Sequence, residues 1–305
     1  MIHIGVDLGG TKMEALALDG AGGELCRQRL PTPRSSYDEI VTALVKLITS
    51  VEASCGGEGT IGLGIPGIAS PATGLIKNAN TTRLIGHALD KDLEARLGRP
   101  VRLANDANCF ALSEATDGAA SAQELGVSRP TVFGVILGTG TGGGVVVGGE
   151  LLIGRDAIAG EWGHNPLPWL TPEEYPGPKC WCGHSGCSET FLSGPAMARE
   201  YRARTGRDVD AAGIAALAAS GEADAKHSLD QYVSRLARAL ASIINVLNPD
   251  AIVLGGGVSN IARLYEEVPR LWSKYVFSDV VTTRLVRAKH GDSSGVRGAA
   301  WLWSS

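Results

Sequence analysis

The sequence predicts an α/β protein made of two related domains, and three observations carry that prediction. Its 305 residues are enough for two domains of ordinary size. Apolar runs that stop at glycine turns alternate with segments whose apolar residues recur at helical spacing. One stretch also occurs twice. Gly5-Val6-Asp7-Leu8-Gly9 lines up with Gly134-Val135-Ile136-Leu137-Gly138 at a constant offset of 129 residues, and each copy continues through a Gly/Thr turn into another apolar run. Glycine-rich hairpins can agree this well by chance. The sharper reading is that each domain opens with a β-hairpin and that both turns face one phosphate, because glycine turns bring backbone N–H groups close to anions.

Ile2 to Leu8 is the first strand. It ends in Gly9-Gly10-Thr11-Lys12, and Ala15 to Leu18 resumes as a strand. Asp7, an acid at a strand end beside a phosphate turn, suits a hydrated Mg2+ ion. Tyr37 to Ala53 carries Ile40, Val41, Leu44, Val45, Ile48 and Val51 at helical spacing. Ile61 to Ile65 is a strand halted by Pro66-Gly67. The polar run Lys77 to Thr82 reads as a solvated loop or a hydrogen-bonding surface, and Asp90 to Leu97 as a short helix. Val101 to Ala104 is a strand, followed by Asn105-Asp106-Ala107-Asn108 and a helix through Ala115. Asp106 sits at the carboxyl end of a strand, where α/β proteins place their ligands. Asp is equally at home as a helix N-cap, so spacing alone does not separate cap from catalytic base.

Val132 to Gly149 holds the second copy, with its turn at Gly138 to Gly144. Gly138, Gly140 and Gly143 fit the dinucleotide pattern G-x-G-x-x-G, and Glu161 lies about where a ribose-binding acid would. That motif must open a helix. Here the turn runs into Val145-Val146-Val147, which is strand–turn–strand chemistry. The glycines also make a spanning helix poor, so a membrane segment is rejected. A loop from Gly154 to Gly163 delivers Glu161-Trp162-Gly163-His164, and a Pro/Trp-rich segment follows, 166–178.

Next come Cys180, Cys182 and Cys187, spaced C-x-C-x4-C, a thiolate set that suits zinc. The fourth ligand is His164 or His184. His184 lies inside the same tight loop, where room is short, so His164 is preferred; four protein ligands make the site structural. The remaining cysteines, Cys26, Cys55 and Cys109, read as small core residues. Glu189 follows the cluster. Phe191 to Arg204, Ala211 to Ala219 and Glu222 to Leu247 read as helices. Asp250 to Leu254 is a buried strand ending in Gly255-Gly256-Gly257, and Ile261 to Tyr275 is a helix. Gly295, Gly298, Ala299 and Ala300 suit close helix packing.

A net charge of −4 and a pI near 5.9 leave no electrostatic footprint for nucleic acid. The start of the chain lacks the basic region and long apolar core of a signal peptide, so a cytoplasmic protein with reduced thiols is expected. No Gly-Lys-Ser/Thr exists, which excludes a Walker A loop.

Together these motifs resemble the ROK family of sugar kinases, within the actin/hexokinase-like ATPase superfamily. The resemblance spans the chain and is carried by 7–12 (DLGGTK), 64–67 (GIPG), 105–108 (NDAN), 138–144 (GTGTGGG), 161–164 (EWGH), the cysteine cluster with Glu189, and 254–257 (LGGG). Residues 30–34, 161–169 and 289–301 look like the fructokinases of that family. The resemblance implies two actin/hexokinase-like (ribonuclease H-like) domains with a cleft between them. The small N-terminal domain would span 1–116 and be completed by the C-terminal helix 293–305; the larger would span 117–292 and carry the zinc-binding loop. Asp7, Gly9, Gly10, Thr11 and Lys12 from one turn would hold ATP and Mg2+ with Gly138, Thr139, Gly140, Thr141 and Gly142 from the other, and Gly255, Gly256 and Gly257 near the adenosine. Gly67, Asn80, Asn105, Asp106, Glu161, His164 and Glu189 would bind the sugar, with Asp106 as general base. His164 would also bind the structural Zn2+ with Cys180, Cys182 and Cys187.

The implied reaction is ATP-dependent phosphorylation of a hexose at its 6-hydroxyl. Fructose is the first choice, with mannose also in view, and N-acetylglucosamine and glucose are the alternatives. The family's sugar-responsive regulators are a different class. They carry an N-terminal helix-turn-helix, for which a first strand starting at Ile2 leaves no room. The expected partners are a sugar and ATP, with no nucleic acid and no membrane; a homodimer follows from the family alone.

Overall fold

The structure, a computed structural model, describes every residue except Asn80 and Ser305, and not the Asp292 side chain. The expectation for Asn80 therefore lies outside the described residues. The first half runs β1 (His3–Leu8), β2 (Lys12–Leu18), β3 (Glu24–Pro31), α1 (Tyr37–Cys55), β4 (Thr60–Ile65), β5 (Ile68–Ala69), β6 (Ile76–Lys77), α2 (Leu89–Leu97), β7 (Val101–Asn105) and α3 (Asp106–Thr116). The second runs α4 (Ala122–Leu125), β8 (Val132–Leu137), β9 (Thr141–Val147), β10 (Glu150–Leu152), α5 (Glu189–Leu192), α6 (Gly194–Thr205), α7 (Ala211–Ala219), α8 (Ala223–Leu247), β11 (Ala251–Gly255), α9 (Arg263–Trp272), β12 (Arg284–Arg287) and α10 (Ser294–Trp301).

These strands form two five-stranded sheets of the same plan, ordered β3-β2-β1-β4-β7 and β10-β9-β8-β11-β12. In each, a three-stranded antiparallel meander joins two parallel strands through its first strand. The repeat seen in five residues is thus a repeat of whole sheets.

Each sheet has its own apolar core. One gathers β1, β4 and α1; the other gathers β8, β11 and the apolar face of α8. A third cluster joins them, built on α3 and α10. Helix α10 crosses the first sheet where Gly5 has no side chain; a methyl there would overlap the Val296 carbonyl. Helix α3 crosses the second sheet at Gly134, where a methyl would come 2.7 Å from Ala111 Cβ. The two helices press together at Gly298, which abuts the Cys109 carbonyl. Burial of this apolar surface is the main force joining the halves.

Several sequence expectations are corrected. Gly142, Gly143 and Gly144 belong to β9, not to the turn, and Gly144 lies bare so that α3 can approach it. The helix expected over Phe191 to Arg204 is two helices, α5 and α6. Ser193 breaks it by capping α6 through Ala196 N–H (3.3 Å), with Pro195 in the first turn. The helix expected from Ile261 starts at Arg263, because residues 257–260 form a 3-10 turn. Cys26 and Cys55 are partly buried and pack against the edge of the first core, whereas Cys109 is fully buried.

Candidate active site

Three cavities follow one another along the cleft between the sheets. One, of about 330 Å3, is lined by Gly67, Asn105, Asp106, Glu161, His164 and Glu189 together with the β8–β9 turn. A second, of about 270 Å3, is lined by Asp7, Gly9, Asp106, Ile136, Gly256 and Gly295. A third, of about 500 Å3, opens on the far side of the β8–β9 turn, between Gly138, Thr139, Gly194, Asp210 and Gly257. Gly138 and Thr139 line the first and third, and Asp106 lines the first and second.

Asp106 is placed by the start of α3. Asn105 is the N-cap: its Oδ1 accepts from Ala107 N–H at 2.9 Å, and its Nδ2 donates to the Gly67 carbonyl at 3.3 Å. Asp106 is one residue inside the helix. Its Oδ1 shares the Ala107 N–H at 2.8 Å, and the carboxylate meets water through the cleft while protein surrounds it on its other sides. That surrounding mass pushes its pKa up, opposed by the Ala107 N–H and reinforced by Glu161. Asp7 is half-buried at the end of β1. Burial, then the charge of Asp106, then that of Glu14 raise its pKa to about 6, while Lys12 opposes them. Glu14 lies across the hairpin from Asp7 and is held by Arg27 and by Arg29 at 2.8 Å. Two carboxylates facing one cavity repel each other, and a divalent cation between them relieves that repulsion; the oxygen donors are those Mg2+ takes.

The two hairpin tips differ. Gly9 N–H closes on Lys12 O at 3.0 Å, and Gly10, Thr11 and Lys12 stand exposed. Gly138 N–H closes on Gly140 O at 3.0 Å, and Thr141 is buried with its hydroxyl lacking any partner. An unpaired buried hydroxyl at a glycine turn fits a phosphate oxygen. Gly194 N–H, at the start of α6, donates to Gly138 O at 2.9 Å, so the break after α5 ties that helix to the turn. Gly256 (φ 81°) and Gly257 line cavities. Gly255 is buried, and a methyl there would come 2.5 Å from the Phe110 ring, so its bareness serves packing.

His164, Cys180, Cys182 and Cys187 bring one donor atom each within 4.8 Å of one another. His164 Nδ1 is 3.6 Å from Cys180 Sγ, and Cys182 Sγ is 3.6 Å from Cys187 Sγ. With Zn–S bonds near 2.3 Å, a tetrahedral ion holds its ligands about 3.8 Å apart, so three sulfurs and a nitrogen at these distances fit zinc. His184 stands exposed and gives its backbone carbonyl to Cys180 N–H at 2.8 Å.

Sequence reasoning missed Trp181. Its Nε1 donates to Glu189 Oε1 at 2.8 Å, and its ring meets that of His164 edge-on at 4.8 Å. Glu189 Oε2 accepts Thr141 N–H at 3.0 Å. Glu189 therefore ties the β8–β9 turn to the cysteine loop. An aromatic residue between two clustered cysteines was the available signal. Pro195, Asp210 and Val258 around the third cavity were also missed, because none belongs to a motif.

Comparison with known proteins follows the same lines. The profile of the ROK family matches residues 3–305. An N-acetyl-D-glucosamine kinase of Aliivibrio salmonicida (strain LFI1238) is 41% identical over 305 residues, covering 99% of each chain. The crystal structure of a ROK hexokinase from Thermus thermophilus superposes with a TM-score of 0.86 at 34% identity, covering 98% of this chain and 97% of that one. A ROK family glucokinase from Streptomyces griseus, in complex with glucose and AMPPNP, superposes with a TM-score of 0.77 at 26% identity, covering 99% of each. The fold is the two-domain, actin-like α/β fold of these proteins. Among the described residues no helix is long and apolar enough to cross a membrane.

Proposed function

The chain belongs to the ROK family and is a sugar kinase of it, and from that premise we propose that it transfers the γ-phosphoryl group of ATP to the 6-hydroxyl of N-acetyl-D-glucosamine. This replaces the fructose expectation. The 41% identical relative is a kinase of the acetamido sugar, and its likeness runs over the whole chain. The stretches that favoured fructose are short and lie largely outside the cavities.

Asp106 carries the reading. Its carboxylate lines both the sugar-side and the phosphate-side cavity, so a hydroxyl in one and a phosphoryl group in the other meet at it. Its raised pKa makes it a better proton acceptor than an ordinary aspartate. The 6-hydroxyl proton passes to Asp106, the oxygen attacks the γ-phosphorus in line, and ADP leaves. The N–H groups of the two turns and the Thr141 hydroxyl hold the phosphates, and the 500 Å3 cavity takes the adenosine. Asp7 would hold Mg2+, which when bound neutralises charge on the phosphoryl oxygens. Asn105, Glu161, His164 and Glu189 orient the sugar. Cys180, Cys182, Cys187 and His164 would hold a structural zinc that fixes His164 and Glu189 against the cleft.

The test is a coupled ADP-release assay with N-acetyl-D-glucosamine, glucose, fructose and mannose. The expected result is a kcat/KM for N-acetyl-D-glucosamine at least about 10-fold above the others. A higher value for fructose or mannose would overturn the substrate, and no ADP release with any sugar would overturn the kinase. Glucose is the second reading, favoured by the glucokinase likeness.

A further inference from the structure

A fourth cavity, of about 200 Å3, lies behind the sugar-side one, and the residue the two share is Asn105. Its walls are apolar. Ile65 comes from β4, Ile68 from β5, Leu103 from β7, and Ile153 from the loop after β10. Into this setting α3 brings Asn108, which is 6% exposed and whose side-chain oxygen has no hydrogen-bond partner. A buried amide oxygen left unpaired is a cost to the free protein, and nothing in the phosphoryl transfer uses it. Apolar walls with one unsatisfied amide match a group that is itself an amide ending in a methyl.

We infer that this cavity is the subsite for the 2-acetamido group of the sugar, with Asn108 pairing its amide and Ile65, Ile68, Leu103 and Ile153 enclosing its methyl. The inference rests on the N-acetyl-D-glucosamine reading and names what in this chain selects that sugar. Selectivity follows from the chemistry. A sugar without the acetamido group leaves Asn108 unpaired, and a site built to hydrogen-bond a group discriminates strongly against analogues that lack it. Three of the apolar walls belong to the side of the first sheet and Ile153 to the second. A methyl between them contacts both sides of the cleft, so filling the subsite favours closure, and selectivity appears in kcat as well as in KM.

The experiment measures kcat/KM for N-acetyl-D-glucosamine and for glucose in the full chain and two variants. Asn108→Leu keeps the side chain's shape and removes the amide; because the amide oxygen is buried and unpaired in the free protein, the melting temperature should hold or rise. Ile153→Trp fills the cavity from an exposed loop position, 45% accessible. Each variant should lower the ratio of N-acetyl-D-glucosamine to glucose kcat/KM by at least about 30-fold, with the loss carried by the acetamido sugar. An unchanged ratio in both variants, or equal loss on both sugars, would overturn the subsite and leave the kinase assignment standing. A wild-type enzyme that prefers glucose would overturn the substrate reading itself, and the subsite with it.

Discussion

The β1–β2 and β8–β9 hairpins occupy the same place in two sheets of one strand order, and the contrast between them explains the active site. At the offset of 129 residues, Gly5 answers to Gly134, Asp7 to Ile136 and Lys12 to Thr141. The glycines keep a common job, since each lets a helix lie on its strand. The residues nearest the cleft have parted. Asp7 and Ile136 line the same cavity, one a carboxylate and one apolar. Lys12 stands exposed at its tip, whereas Thr141 is buried with an unpaired hydroxyl. Packing demands the shared scaffold, and on the proposed reading a single cation and a single phosphate chain would need different partners on each side.

The largest expected effect breaks that contrast at Asp7. Asp7→Asn should lower MgATP-dependent kcat/KM by about two to three orders of magnitude and raise the Mg2+ concentration needed for half-maximal rate. Ile136→Asn should leave that Mg2+ midpoint unchanged; an equal shift in both would erase the asymmetry. The sign of the stability effect is also set. Asp7's folded pKa of about 6 lies above its ordinary value of 3.8, so the stability it contributes is present below that value and is lost as pH rises through about 6. The Asn variant should therefore melt higher than wild type at pH 8, without Mg2+, and show no such gain at pH 4.

Next in size is the shared packing. Gly5→Ala must push back the α10 backbone and should cost about 3 kcal/mol in urea unfolding, against about 2 kcal/mol for Gly134→Ala, whose methyl meets Ala111 Cβ at 2.7 Å and Cα at 2.8 Å, a milder overlap than the one with the Val296 carbonyl. Comparable costs would mean that the two sheets hold their helices alike. For the cysteine loop, one zinc per chain is expected by metal analysis, and Cys182→Ser should lower the melting temperature by roughly 5 °C while raising the sugar KM. The smallest effect is at the second turn. Thr141→Val removes a hydroxyl that bonds nothing in the free protein, so stability should hold while the KM for ATP rises about 5-fold.

Much of this was legible in the chain, for identifiable reasons. Apolar runs stopped by glycine mark β1 and β8, and three cysteines in eight residues mark the loop that gathers Cys180, Cys182 and Cys187 with His164. The charged edge strand β3 was not legible, because its ELCRQRLP pattern buries no residue fully. Nor was the end of the second turn, because Gly144 is bare for the approach of α3 and Gly143 for Trp162 and the Gly160 carbonyl, neighbours that leave no local signal. The ambiguity at Asp106 had a physical root: the helix start offers two adjacent acceptors, and only the folded geometry has Asn105 as the cap. The choice of sugar was not legible because, on the proposed reading, a few side chains from distant strands would decide it.

The most direct measurement is on Asp106→Asn, read by turnover and by calorimetric binding of N-acetyl-D-glucosamine. The account predicts that the variant folds and binds the sugar with near wild-type affinity while kcat falls by at least about 1000-fold. In the wild type, kcat/KM should rise with pH through a value above the ordinary aspartate range, as the pKa direction requires. Near-normal kcat in the variant would contradict the account.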